Sequence, residues 1–256
     1  MPASLFRKSS SRRSADRAKS PQAAEAPFEL DPTGVRPEDV LGPLNPEEQK
    51  YKPAALYLEG DRSLLMHRPK VSIVGSRNAS EEGLRRAAKL ARMLVEREVV
   101  VVSGLALGID KAAHEAAIAA GGQTIAVIGT PLDKAYPREN ADLQALIARD
   151  HVVVSQFPKG YPTTPGCFPM RNRTMALIVD ASVIVEAGDT SGSLSQGWEA
   201  LRLARMLFIM KSVADNPEFS WPRKMMNYGA MALDEKGLEQ LLDALPYGDP
   251  AALLPA

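Results

Sequence analysis

From residue 53 onward, short apolar runs rich in Val, Ile and Ala alternate with segments of helical period, and this alternation leaves few folds open. Val71–Gly75, Val99–Ser103, Thr124–Gly129, Val152–Ser155, Ser182–Glu186 and Met206–Met210 read as strands, with Ala54–Leu58 as an edge strand. Between them lie helical patterns. Ser80 caps a helix running to about Glu98, with Leu84, Ala87, Ala88, Ala91 and Leu94 on one face. Further helices are expected from Asp110 to Gly121-Gly122, at Asn140–Arg149, Met170–Val179 and Leu194–Arg205, and finally at Lys236–Leu245. A long loop rich in Pro and Gly fills Gln156–Cys167. Strands that are apolar on both faces, separated by helices, imply an α/β domain: a doubly wound, mostly parallel sheet covered on both sides.

Composition sets the boundaries of that domain. Residues 1 to about 50 are poor in aromatic and β-branched side chains and rich in Ser, Ala, Pro and charge, so they read as a disordered, low-complexity tail. The domain then covers 51–245, and residues 246–256 form a Pro/Ala tail. In the first tail Arg7, Lys8, Arg12, Arg13, Arg17 and Lys19 precede an acidic stretch. That basic block is either an arm for phosphates or a solvated tail. No apolar run is long enough to span a membrane, and no apolar stretch follows the basic start, so neither a membrane span nor a secretory signal is expected. Cys167 is the only cysteine, which fits a reducing cytoplasm. Lys+Arg and Asp+Glu both number 31, so any nucleic-acid site must be a local cluster of cations and not a basic surface.

In such a sheet, ligands bind beyond the carboxyl ends of the strands. Three loops there suit anions. Gly75-Ser76-Arg77-Asn78 offers a backbone that a ligand can approach, a hydroxyl and a guanidinium. In Ser103-Gly104-Leu105-Ala106-Leu107-Gly108, two glycines four apart precede a helix, a composition expected to aim free N–H groups outward. Asp189-Thr190-Ser191-Gly192-Ser193 follows the Ser182–Glu186 strand. The alternative for all three is tight-turn geometry alone. A fourth feature is Phe168-Pro169-Met170-Arg171-Asn172-Arg173. Phe168 either stacks on a base or packs in the core. Residues two apart diverge on a helix, so at most one of Arg171 and Arg173 is expected to face a single ligand deeply, the other reaching a neighbouring phosphate or pairing with an acid such as Glu186.

Enzyme and cofactor signatures are missing. No Gly-x-x-x-x-Gly-Lys-[Ser/Thr] loop, Gly-x-Gly-x-x-Gly opening or Gly-x-Ser-x-Gly elbow occurs. His67, His114, His151 and a single cysteine do not make a zinc site. No cofactor and no metal are expected. Asp110 and His114 share a helix face and read as a cap beside a buried, satisfied histidine, or as an acid–base pair. Glu186 is the best lone catalytic carboxylate. Cys167 reads as a small loop residue.

Several of these stretches together resemble the DNA-processing protein A (DprA, also called Smf) family. They are Val71-Ser-Ile-Val-Gly-Ser-Arg77, Ser103-Gly-Leu-Ala-Leu-Gly-Ile-Asp-Lys-Ala-Ala-His114, Gly122-Gln-Thr-Ile-Ala-Val-Ile-Gly129, Tyr136-Pro137, Phe168-Pro-Met-Arg-Asn-Arg173 and Ser191-Gly-Ser-Leu194. The resemblance spans roughly residues 53–234. It implies an extended Rossmann-like fold, single-stranded DNA binding, a homodimer, and loading of a RecA-type recombinase during transformation. By that likeness Ser76, Arg77, Phe168 and Arg171 are candidates for the DNA pocket, with the glycines of the other two loops lining it. Taken with the loop reading above, the expected DNA- or phosphate-binding set is Gly75, Ser76, Arg77, Ser103, Gly104, Gly108, Phe168, Arg171, Asn172, Arg173, Ser191, Gly192 and Ser193. Leu107 stands where that family usually has a basic residue, and Ser195-Gln196 stands where it has Thr-Ala.

The leading expectation is therefore a single-stranded DNA-binding protein that is not an enzyme. Two others stand beside it. One is a nucleotide sensor or phosphoribohydrolase-like enzyme using Glu186, although the Pro-Gly-Gly-x-Gly-Thr loop of such enzymes is missing. The other is a protein-interaction scaffold that no longer binds a ligand, consistent with Leu107 and the zero net charge.

Overall fold

A computed structural model describes residues 34–66 and 68–247. The basic stretch of the N-terminal tail, His67 and residues 248–256 lie outside the described residues. Eight strands form one sheet: β1 (Tyr57–Gly60), β2 (Lys70–Gly75), β3 (Val100–Ser103), β4 (Thr124–Ile128), β5 (Val152–Ser155), β6 (Ala181–Glu186), β7 (Met206–Met210) and β8 (Met231–Leu233). Their order is β1-β5-β4-β3-β2-β6-β7-β8. Only β1 runs antiparallel, against β5; every other pairing is parallel. The chain builds outward from β2 through β3, β4 and β5, then returns to lay β6 on the other side of β2. The loops after β2 and β6 therefore diverge from adjacent strands, which opens a crevice at that switch point.

The strands alternate between two apolar faces. Against one face pack α3 (Glu81–Val95), α4 (Ile109–Ala119), α5 (Ala141–Asp150) and α10 (Glu235–Asp243), through Ala87, Leu90, Leu94, Ile109, Ala113, Ile147 and Leu241. Against the other pack α6 (Cys167–Ile178), α7 (Ser193–Arg202), the four-residue α8 (Lys211–Ala214) and α9 (Trp221–Asn227), through Met175, Ile178, Val213 and Met225. Helix α3 forms where its sequence says it should. The Ser80 side chain accepts the Gly83 N–H at 3.0 Å, Glu81 and Glu82 sit in the first turn, and Ala and Leu fill the inner face.

The expected doubly wound, mostly parallel sheet is the observed one, with local differences. Within the stretch assigned above to the tail, which ends at about residue 50, the chain forms α1 (Pro37–Leu41) and α2 (Pro46–Tyr51). They dock because Val40 is buried and because Glu48, almost fully buried, pairs with Arg205 at 2.5 Å. Asn45 and Glu48 close a capping box, a local signal that low overall hydropathy hid. Strand β1 begins three residues later than expected, and β8 is too short to show a pattern, with two half-buried residues before the buried Leu233. Helix α6 begins at Cys167, so Phe168 and Pro169 belong to its first turn, where proline's missing N–H costs nothing.

Candidate functional site

The crevice at the β2/β6 switch point is a cleft of about 480 Å³. One wall is the β2–α3 loop, with Gly75, Ser76, Arg77 and Asn78. The opposite wall is the β6–α7 loop, with Gly188, Thr190, Ser191, Gly192 and Ser193. The first turns of α6 supply Phe168, Arg171 and Asn172, and Gln196 and Asp110 reach the floor. A smaller hollow of about 100 Å³ adjoins it beyond Phe168, between Leu107, Gly129 and Tyr136.

Arg77 is exposed and makes no ion pair among the described residues; its guanidinium carbon stands 5.7 Å above the centre of the Phe168 ring. Phe168 is half-buried and packs against Tyr136 at 5.4 Å between ring centres. It is a wall of the cleft and not a core residue. Arg171 is 6% exposed, and its Nη1 donates to the carbonyls of Gly104, at 2.5 Å, and Val127, at 2.9 Å. Its charge is answered from beneath by Asp110, whose carboxylate accepts the N–H groups of Gly104 and Ala106 at 3.1 and 3.3 Å. Burial raises the Asp110 carboxyl above its ordinary value, opposed by Arg171. Burial lowers Arg171, opposed in turn by Asp110. The pair is a buried brace on which the loop after β3 rests.

That brace revises the expectation for the second loop. The Gly104 and Ala106 N–H groups point inward to Asp110 and are not free for an anion. Ser103 is fully buried and its hydroxyl donates to the Ile73 carbonyl at 2.6 Å. Gly104 touches only the smaller hollow. Gly108, with φ +74°, lines neither hollow; it lies against the carbonyls of Ser76 and Arg77, where a Cβ would collide. Glycine is needed at 104 and 108 for close packing between loops, while Ala106 and Leu107 of the same stretch line the hollows.

The third loop does line the cleft. The hydroxyls of Ser191 and Ser193 are 2.6 Å apart, and Asn172 donates to the Gly192 carbonyl at 3.2 Å, tying α6 to this loop. In the first loop Ser76 donates its N–H to the Glu186 carbonyl at 2.7 Å, and its hydroxyl accepts the Asn78 N–H at 3.1 Å.

The ion pair expected between Arg171 or Arg173 and Glu186 is not formed. Arg173 points away from the cleft and pairs with Glu199 at 3.1 Å, lying over the Tyr51 ring. Glu186 pairs with neither arginine; it accepts the Ser80 N–H at 2.8 Å and the Ser80 hydroxyl at 2.5 Å, at the head of α3. A carboxylate there is stabilised by the helix terminus, which explains its position without chemistry. His114 is fully buried and meets the Thr124 hydroxyl at 2.7 Å; that hydroxyl donates to Val101, so His114 Nδ1 carries the proton. Asp110 and His114 share a helix face but take separate partners. Cys167 is buried at the start of α6, its sulfur contacting Thr164.

Tyr136 and Gln196 enter the sequence reading only through the family resemblance, Tyr136 as a match and Gln196 as a departure, and neither is among the expected site residues. Tyr136 sits in the loop after β4, at the same edge of the sheet as the three loops that were singled out, so the strand-end rule applied there too would have found it. Gln196 is fully buried and donates to Ser182 at 3.2 Å, and only the fold reveals that it floors the cleft.

The fold and the cleft define a doubly wound α/β protein with an arginine- and hydroxyl-lined crevice at its switch point. The family model for DNA recombination-mediator protein A matches residues 37–246. DNA processing protein DprA of Bacillus subtilis (strain 168) is 34% identical over 194 residues, covering 76% of this chain and 65% of its own length. Its counterpart in Streptococcus pneumoniae (strain R6) is 44% identical over 156 residues, 61% of this chain and 55% of its own length. The X-ray structure of the S. pneumoniae protein superposes with TM-score 0.69 and 35% identity, covering 80% of this chain and 72% of that one. The DprA structure from Helicobacter pylori, described for its single-stranded DNA binding mode, gives TM-score 0.65 and 29% identity, over 75% and 86% of the two chains. This chain belongs to the DNA recombination-mediator protein A family. It spans between about half and two thirds of the length of the curated relatives just named.

Proposed function

We propose that this chain binds single-stranded DNA in the β2/β6 cleft and performs no chemistry on it. The observation that carries the reading is the group at the rim: Arg77, without an ion pair among the described residues, over the half-buried ring of Phe168, beside the Ser191–Ser193 loop. A cation and an aromatic face at one opening suit a strand whose phosphates and bases are both accessible. The single-stranded DNA binding described for the H. pylori relative supports it. Engagement of Glu186 by Ser80 argues against a hydrolytic carboxylate. Family membership supports a cytoplasmic role in DNA uptake and recombination, with this chain as a homodimer handing the strand to a RecA-type recombinase.

The test is fluorescence anisotropy of a labelled oligo(dT) across a salt series, with a matched duplex as control. Arg77 and Arg171 are the cations lining the cleft, and Arg171 is buried, so one to two neutralised phosphates give a shallow log–log salt slope of about −0.7 to −1.4, with weak sequence preference. Equal affinity for duplex, or no binding at low salt, refutes the reading.

A further inference from the structure

Phe168 divides the site into two hollows of different character, and the function proposed above uses only the larger. The smaller is bounded by Leu107, Gly129, Tyr136, Pro137 and Phe168, an apolar set. Arg77 and Arg171 line both hollows. Tyr136 is 47% exposed, and its hydroxyl makes no hydrogen bond among the described residues. Its ring is tilted 44° to Phe168 at 5.4 Å, so the two rings form a bent ledge and not a closed stack.

The loop carrying Tyr136 is anchored at both ends. On one side the Thr130 hydroxyl donates to the Lys134 carbonyl at 2.7 Å. On the other, the buried side chain of Asn140 donates to the carbonyls of Leu105 and Ala106, at 2.9 and 3.2 Å. The walls holding Tyr136 and Leu107 are thus bonded to each other. An exposed aromatic ring without a polar partner, held on a braced loop beside an arginine with no ion pair among the described residues, has the makings of a stacking platform.

We propose that Tyr136, Leu107 and Phe168 form a second base-binding subsite. Neighbouring bases of one strand then lie on opposite sides of Phe168, with Arg77 at the phosphate between them. The subsite rests on the single-strand reading and extends it: Tyr136 contacts a base, while Arg77 contacts the backbone.

The experiment compares wild type, Tyr136→Ala, Tyr136→Phe and Arg77→Ala by anisotropy, on labelled oligo(dT) and on an abasic strand of equal length. Loss of one stacked base corresponds to about 5- to 160-fold. Tyr136→Ala should weaken oligo(dT) binding by that factor and leave the abasic strand unchanged, and Tyr136→Phe should bind as wild type. Arg77→Ala should weaken both strands. Unchanged oligo(dT) affinity in Tyr136→Ala, with Arg77→Ala still impaired, overturns the subsite and leaves the proposed function standing. Equal loss on both strands also overturns it, since the ring would then matter to the loop and not to a base. If wild type fails to bind oligo(dT) at low salt, the single-strand reading itself falls and the subsite with it.

Discussion

The guanidinium of Arg171 occupies the space a side chain at Gly104 would need: a Cβ added there would overlap Nη1, the same nitrogen that donates to the Gly104 carbonyl. A site arginine and a site glycine are thus two halves of one packing contact. Gly104→Ala should expel the guanidinium and lower stability by about 3 kcal/mol, because Asp110 is left buried without its partner. Urea denaturation of the variant beside wild type measures this.

The same contact separates the two cleft arginines. Arg171→Ala should unfold at markedly lower denaturant, by about 3–5 kcal/mol, since it removes two buried hydrogen bonds and the charge above Asp110. Arg77→Ala removes no ion pair and should leave the denaturation midpoint unchanged while weakening single-strand binding by about 1–3 kcal/mol. Paired anisotropy and denaturation on both variants check the division.

Arg173→Ala should behave differently from either. Its partners are Glu199 and the Tyr51 ring, away from the cleft. The expected loss is about 1 kcal/mol of stability or less, as for a partly exposed ion pair, with oligo(dT) affinity retained. An affinity loss matching that of Arg77→Ala would place DNA on the far side of α6.

His114 gives a pH signature. Burial, reinforced by the charge of His151, pushes it from 6.5 to about 3. Between those values the unfolded chain binds more protons than the folded one, so this contribution is complete above about pH 6.5 and is lost as pH falls toward 3. Its full size is on the order of 5 kcal/mol. The raised Asp110 carboxyl acts in the opposite sense, contributing stability at low pH that is lost as pH rises through its folded value. Thermal melts of wild type and His114→Gln between pH 5 and 7.5 isolate the histidine: the wild type should lose more stability on acidification than the variant.

The parallel strands were legible because burial on both faces writes them as unbroken runs such as Val100-Val101-Val102, and α3 because Ser80 marks its start and Leu84, Ala87, Ala91 and Leu94 recur on one face. The cleft was legible as loops at one edge of the sheet. Which way each loop turns its polar groups was not, because that depends on partners distant in sequence. Asp110 turns the Gly104 N–H inward, and Ile73, thirty residues earlier, takes the Ser103 hydroxyl. Likewise nothing near Glu186 in sequence announces Ser80, 106 residues away, or near Arg173 announces Glu199. Helices α1 and α2 were hidden by a polar composition whose few anchors, Val40 and Glu48, acquire meaning only against the sheet and Arg205.

The central claim is that a single strand lies in the β2/β6 cleft. Amide hydrogen exchange of the protein with and without oligo(dT), at a salt concentration where it binds, tests this segment by segment. Residues 75–78, 168–172 and 188–196 should gain protection together, with 134–138 joining them at the smaller hollow. Protection confined to the opposite edge of the sheet, or to α9 and α10, would show that the strand binds elsewhere and contradict the claim.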